Sequence, residues 1–98
     1  MNNMKIVVAS PSFSKNRILS SELLSLFPNT VLNLDGIRFG KQDLIGYLKG
    51  ADAAIVGLEI IDDEVLEACP KLKIISKYGV GLDGIDLEAC KKRGISIG

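Results

Sequence analysis

The chain has no histidine and no tryptophan, only two cysteines and three prolines, and aromatic residues fill 5% of its 98 positions. Without histidine there is no imidazole acid or base and no histidine-ligated metal. Cys69 and Cys90 lack metal-ligand spacing and read as free thiols, buried or half-buried in helices, rather than as a disulfide. Neither sign of charge is in excess: 12 Lys and Arg balance 12 Asp and Glu. That argues against a nucleic-acid partner, which needs a basic face. No apolar run is long enough to span a bilayer, so no membrane role is expected. The opening Met1-Asn2-Asn3-Met4-Lys5 leads straight into an apolar run without a secretory pattern, and the expected location is cytoplasmic. What is present is a balance of 47% hydrophobic and 24% charged residues. That composition suits one small globular domain with a single core.

Apolar patterning divides the chain into alternating strands and helices. Lys5 to Ala9 is a continuous β-branched run, as in a central parallel strand covered on both faces. Ser10-Pro11-Ser12 ends it. From Asn16 to Leu26 the spacing of Ile18, Leu19, Leu23, Leu24, Leu26 and Phe27 predicts a helix with one apolar stripe, stopped by Pro28-Asn29. Thr30 to Leu34 reads as a strand and Gly36 to Gly40 as a loop. Lys41 to Leu48 reads as a helix with Leu44, Ile45 and Leu48 inward. Ala51 to Val56 is the third strand. Asp62-Asp63-Glu64 opens a helix whose start favours acids, and Pro70 follows its end. Lys73 to Ser76 is the fourth strand, Asp86 caps a helix ending near Gly94, and Ile95-Ser96-Ile97 begins a fifth strand. Four strand–helix units and a closing strand predict an α/β, flavodoxin-like, doubly wound parallel sheet of order 2-1-3-4-5.

The stretch Lys77 to Asp86 joins the fourth strand to the last helix, at the sheet edge where ligands of open α/β folds bind. Gly79 and Gly81 flank Val80, so the backbone there can turn sharply and bring its N–H groups to a small anion. The plainer reading is that these glycines only shape a tight turn. Gly79, Gly81 and Gly84 spell G-x-G-x-x-G, yet a dinucleotide fingerprint would open a helix and be followed by a ribose-binding acid. Asp86 starts the helix after the glycines, which argues against that use. The other loop on this edge is Gly57-Leu58-Glu59-Ile60. Lys77 reads as a solvated lysine, and Lys91-Lys92-Arg93 as cations suited to a helix's last turn.

The block Tyr78-Gly79-Val80-Gly81-Leu82-Asp83-Gly84-Ile85-Asp86, continued through Ala89 and Arg93-Gly94-Ile95, resembles the G-V-G-x-D-x-[IV]-D-x-x-A-x-x-[KR]-G-I pattern of the D-isomer-specific 2-hydroxyacid dehydrogenases. Leu66-Glu67-Ala68-Cys69-Pro70-Lys71-Leu72-Lys73-Ile74-Ile75 resembles the lead-in to that pattern. The likeness is specific from about Val56 onward. It implies that residues 1–98 are the first part of a substrate-binding domain. The nucleotide-binding domain, and the Arg, Glu and His that run the chemistry, would lie beyond Gly98. It also implies NAD or NADP in the intact enzyme, none bound by this chain alone, and no catalysis by this chain alone. The substrate would be a small 2-keto or 2-hydroxy acid, its carboxylate held by the backbone N–H groups of Val80 and Gly81. Gly79, Tyr78, Leu58 and Glu59 would complete the site. Glu59 departs from relatives with Arg or Ser nearby, which argues against a phosphorylated substrate because like charges repel; it reads equally as a solvated loop residue. Tyr78 reads equally as packing. The intact protein is expected to be a homodimer, and the fragment to self-associate through strand faces left bare. The alternative is a stand-alone flavodoxin-like binding or interaction domain without catalysis.

Overall fold

The computed structural model describes residues 3–79 and 83–98. Five strands, β1 (Ile6–Val8), β2 (Thr30–Val31), β3 (Ala53–Val56), β4 (Ile74–Lys77) and β5 (Ser96–Ile97), form one sheet of order β2-β1-β3-β4-β5. All four pairings are parallel, as the alternating pattern requires. The helices are α1 (Pro11–Lys15), α2 (Arg17–Leu26), α3 (Lys41–Leu48), α4 (Asp63–Ala68) and α5 (Leu87–Lys92).

The first helix was not expected. Ser10 does end β1, but its hydroxyl also accepts the Phe13 N–H at 3.2 Å, with Pro11 pre-set for the first helical turn. Asn16 then closes α1 and caps α2, accepting the Leu19 N–H at 3.0 Å. This double cap sets the phase of α2. Leu23 and Phe27, one helical line, turn to the sheet and pack with Phe13 against Ile6, Val8 and Ala53. The single stripe expected for this helix is therefore corrected: Ile18 is 72% exposed and Leu26 is 60% exposed.

The opposite face carries the larger core. Val7, Ala54, Val56 and Ile75 meet Leu44 and Leu48 of α3, Val65 and Leu66 of α4, and Ala89 and Cys90 of α5. Both cysteines are free and buried, and burial pushes both thiols up in pKa. Arg93 ties α5 to α4 through Asp63 at 2.7 Å. Coverage of the two faces is unequal. Ala53 pairs in register with Ile74, yet Ile74 is 38% exposed while Ala53 is buried. The α1–α2 layer stops short of β4, so β1 has the cover on both faces expected of it while β4 keeps one face partly bare.

Strand β2 ends at Val31 rather than Leu34 because Asn33 leaves the ladder. Its side-chain amide donates to the Ala9 carbonyl (2.9 Å) and the Ile37 carbonyl (3.0 Å), and its side-chain oxygen accepts the Ile37 N–H (3.0 Å). Its backbone N–H donates to the Ser14 hydroxyl at 2.9 Å, and that hydroxyl donates to the Ser10 carbonyl at 2.9 Å. Asn33 is buried, so each of these groups would otherwise lack a partner. Asn33→Ala is expected to lower unfolding free energy by about 2–4 kcal/mol, read by urea titration; a loss below about 1 kcal/mol would show the loop to be held by other contacts.

Candidate functional site

Parallel strands deliver all their following loops to one edge of the sheet. There the segments after β1 (Ser10, Pro11, Ser12), β2 (Ile37, Arg38, Phe39), β3 (Gly57, Leu58, Glu59) and β4 (Lys77, Tyr78, Gly79) enclose a cleft of about 610 Å³.

Two features hold the β3 and β4 loops together. Ile61 N–H donates to the Gly84 carbonyl at 2.7 Å, and Asp86 N–H donates to the Ile61 carbonyl at 2.9 Å, forming a parallel bridge between Ile61 and Ile85. At that crossing a Cβ on Gly84 would lie 2.9 Å from the Glu59 carbonyl oxygen, closer than real Cβ atoms approach. Glycine at position 84 is a packing requirement. Gly57 is less tightly constrained: a Cβ there would meet the Ser10 side chain at 3.2 Å, a close contact that a shift of a few tenths of an ångström would relieve.

The Gly57 peptide is gripped from both sides. Its N–H donates to the Glu59 carboxylate at 2.7 Å, and its carbonyl accepts from the Lys77 ammonium. Glu59 and Lys77 are thus both partly buried and engaged, which corrects the reading of either as merely solvated. Tyr78 packs edge-on against Phe13, with ring centroids 5.3 Å apart, so packing is part of its role. Leu58 projects from the rim, 88% exposed. Gly79 has φ +126°, a conformation side chains disfavour. Val80 and Gly81, the expected carboxylate holders, lie outside the described residues.

Pattern reading missed Ser10, Ser12, Arg38 and Phe39 as lining residues. Phe39 stacks on Tyr47 at 4.4 Å, and the Tyr47 hydroxyl donates to the Val8 carbonyl at 2.9 Å. Burial raises the Tyr47 pKa, with the Glu59 charge adding to the rise. The available signal was Asn33 followed by Gly36, a turn signature three residues apart.

A second, open depression is lined by Asp62, Asp63, Glu64, Glu67 and Asp86. Its acids serve structure. Lys41 pairs with Asp62 at 2.7 Å and Glu64 at 3.1 Å. That pairing raises the Lys41 pKa and, with the Val65 N–H, lowers that of Asp62. Among the described residues no cluster could hold a metal ion. The Asp86 carboxylate accepts the Ala89 N–H at 3.0 Å and so caps α5.

A fold of this order with a cleft at the carboxyl edge defines an open α/β ligand-binding domain. The sequence profile described as D-isomer specific 2-hydroxyacid dehydrogenase, catalytic domain, matches residues 14–98, and the chain belongs to that family. It is 45% identical over 58 residues to a glyoxylate reductase of Pyrococcus horikoshii, covering 58% of this chain and 17% of that protein. It is 41% identical over 58 residues to a D-3-phosphoglycerate dehydrogenase of Mycobacterium bovis, covering 58% of this chain and 11% of that protein. The NAD+-bound 3-phosphoglycerate dehydrogenase of Entamoeba histolytica superposes with TM-score 0.78 at 34% identity, over 97% of this chain and 32% of that one. The chain therefore spans under a fifth of the length of these curated relatives and about a third of the solved structure.

Gly84→Ala is expected to cost about 1–3 kcal/mol of stability, because backbone must move to admit the methyl group. Gly46→Ala, inside α3 with nothing within 4 Å of the new Cβ, is expected to gain about 0.5–1 kcal/mol. Parallel thermal melts compare them; equal effects would show that the 59–84 crossing is slack.

Proposed function

We propose that residues 1–98 are the first part of the substrate-binding domain of an NAD(P)-dependent D-2-hydroxyacid dehydrogenase. One observation carries the reading: in a chain of this family, the loops after β1, β3 and β4 converge on a single cleft at the carboxyl edge of the sheet. The names of the relatives, glyoxylate reductase and phosphoglycerate dehydrogenase, support a small 2-keto or 2-hydroxy acid as substrate. The NAD+ of the Entamoeba protein supports a nicotinamide cofactor.

In this reading the backbone N–H groups of Val80 and Gly81 hold the substrate carboxylate, and Gly79 supplies the turn that leads into them. Leu58 and Tyr78 form walls, Lys77 holds the Gly57 carbonyl, and Arg38 adds positive charge at the mouth. This chain orients the acid and helps keep water from one side of it. The nicotinamide, held by the rest of the protein, supplies the hydride when bound. The acid/base lies there as well, since this chain has no histidine. The stand-alone binding module has no comparable support.

The test uses the intact protein that contains this chain, with NADH or NADPH oxidation followed against glyoxylate and pyruvate. Turnover is expected, and Gly79→Val should lower kcat/KM by about 100-fold, the order of loss a roughly 1 Å misplacement causes, with the NADH Kd little changed. No turnover with any 2-keto acid would overturn the proposal.

We further propose that the intact protein is a homodimer and that the 98-residue chain self-associates. The half-covered sheet face at Ile74 and the outward Ile18 and Leu26 of α2 leave apolar surface without cover. Burying a few hundred Å² of such surface stabilises by several kcal/mol at about 25 cal/mol per Å². Among the described residues no helix is long and apolar enough to cross a membrane. Static light scattering of the chain across a wide concentration range should show mass rising with concentration; a constant monomer mass would sink the idea.

A further inference from the structure

Three consecutive carbonyls at the end of β1 each accept a side chain from a different part of the fold. The Val8 carbonyl accepts the Tyr47 hydroxyl of α3, the Ala9 carbonyl accepts the Asn33 amide, and the Ser10 carbonyl accepts the Ser14 hydroxyl of α1, each at 2.9 Å. All three acceptor residues are buried. Carbonyls so placed cost free energy when a partner is removed.

Two of these anchors converge on one short segment of the cleft. The Asn33 amide gives its second hydrogen bond to the Ile37 carbonyl at 3.0 Å, and its oxygen accepts the Ile37 N–H at 3.0 Å. The amide nitrogen and the oxygen are thus both engaged, which fixes the orientation of the side chain. Tyr47 lays its ring on Phe39, with centroids 4.4 Å apart and planes 23° from parallel. The segment 37–39 is therefore tied to adjacent residues of β1, by Asn33 at its start and by Tyr47 at its end. Ile37, Arg38 and Phe39 all line the cleft, while Asn33 and Tyr47 do not. Whatever these two residues do to a bound molecule, they do through that wall.

We propose that Asn33 and Tyr47 are positioning residues for the cleft: anchored to the Ala9 and Val8 carbonyls, they hold the 37–39 wall where it meets a bound 2-keto acid. This rests on the dehydrogenase reading above and deepens it. Loosening either anchor lets the wall withdraw, which weakens contact with substrate and transition state alike. KM then rises while kcat is kept, the signature of lost uniform binding. A role confined to stability would lower the melting temperature and leave KM alone.

The experiment uses the intact protein that contains this chain, with NADH or NADPH oxidation followed against glyoxylate and pyruvate. Tyr47→Phe removes one hydroxyl and keeps the stacked ring; Asn33→Ser removes the amide. Each is expected to raise KM by about threefold or more, with kcat and the cofactor Kd little changed. In an Arg38→Ala, Phe39→Ala background, where the wall is already trimmed, neither should raise KM further, because residues that act through one another are not additive. Leu72→Ala controls for lost stability: Leu72 is buried just before β4, at the end of that strand away from the cleft. It should lower Tm and leave KM unchanged. An unchanged KM in both Tyr47→Phe and Asn33→Ser would overturn the inference while leaving the dehydrogenase reading intact. An equal rise in Leu72→Ala, or a rise undiminished in the trimmed background, would overturn it as well. Tyr47→Phe decides alone if Asn33→Ser does not fold. A wild type that reduces neither keto acid would overturn the dehydrogenase reading and this inference with it.

Discussion

The site depends on one crossing of backbone on backbone. Where the chain leaves β3 and again where it leaves β4, it passes through Glu59–Ile61 and Gly84–Asp86. The two passes are joined by the Ile61–Gly84 and Asp86–Ile61 hydrogen bonds. A side chain on residue 84 would occupy the place of the Glu59 carbonyl. The segment after β3 and the residues that lead into α5 are thereby held side by side at the sheet edge. Everything on this wall of the cleft, from the Gly57 peptide to the Glu59 charge, inherits its position from this crossing.

The facing wall is organised by Asn33. A buried amide can be left unsatisfied only at a cost of about 1–3 kcal/mol, and here every polar atom of the side chain is used. Its bonds to Ala9 and Ile37 stop β2 early and fold the following loop back over the end of β1. Through Ser14 the same residue ties in α1, so the short helix and the 33–39 loop share one anchor. Arg38 and Phe39 reach the cleft because of that fold-back, with Phe39 steadied by stacking on Tyr47.

The two faces of the sheet tell different parts of the story. One face is closed by α3, α4 and α5 around a continuous apolar core. The other is closed only where α1 and α2 lie, and Ile74 is left half-covered beside the buried Ala53. Unequal cover agrees with a chain that spans about a third of a solved relative. The family shown by the profile over residues 14–98 gives the cleft its chemical meaning; the cleft's particular charges are this chain's own.

Much of the fold was legible because its signals are local. Alternating apolar runs, the caps at Asp62 and Asp86, the glycine after α5 and the unbroken Ile6-Val7-Val8 each follow from short-range sterics and hydrogen bonding, and they determined a parallel α/β sheet in its observed order. Gly79 lies at the sheet edge where the cleft opens. What the tertiary structure decided depended on partners distant in sequence. That Ser10 both ends a strand and caps a helix, that Ile18 and Leu26 turn outward, and that Asn33 bonds Ala9 are set by packing across the chain. The role of Lys77 is of this kind, since its partner is the Gly57 carbonyl twenty residues away. So is the role of Gly84: its neighbour is the carbonyl of Glu59. A lone lysine and a lone glycine carry no record of what they touch, because contact is a property of the folded arrangement and not of either residue.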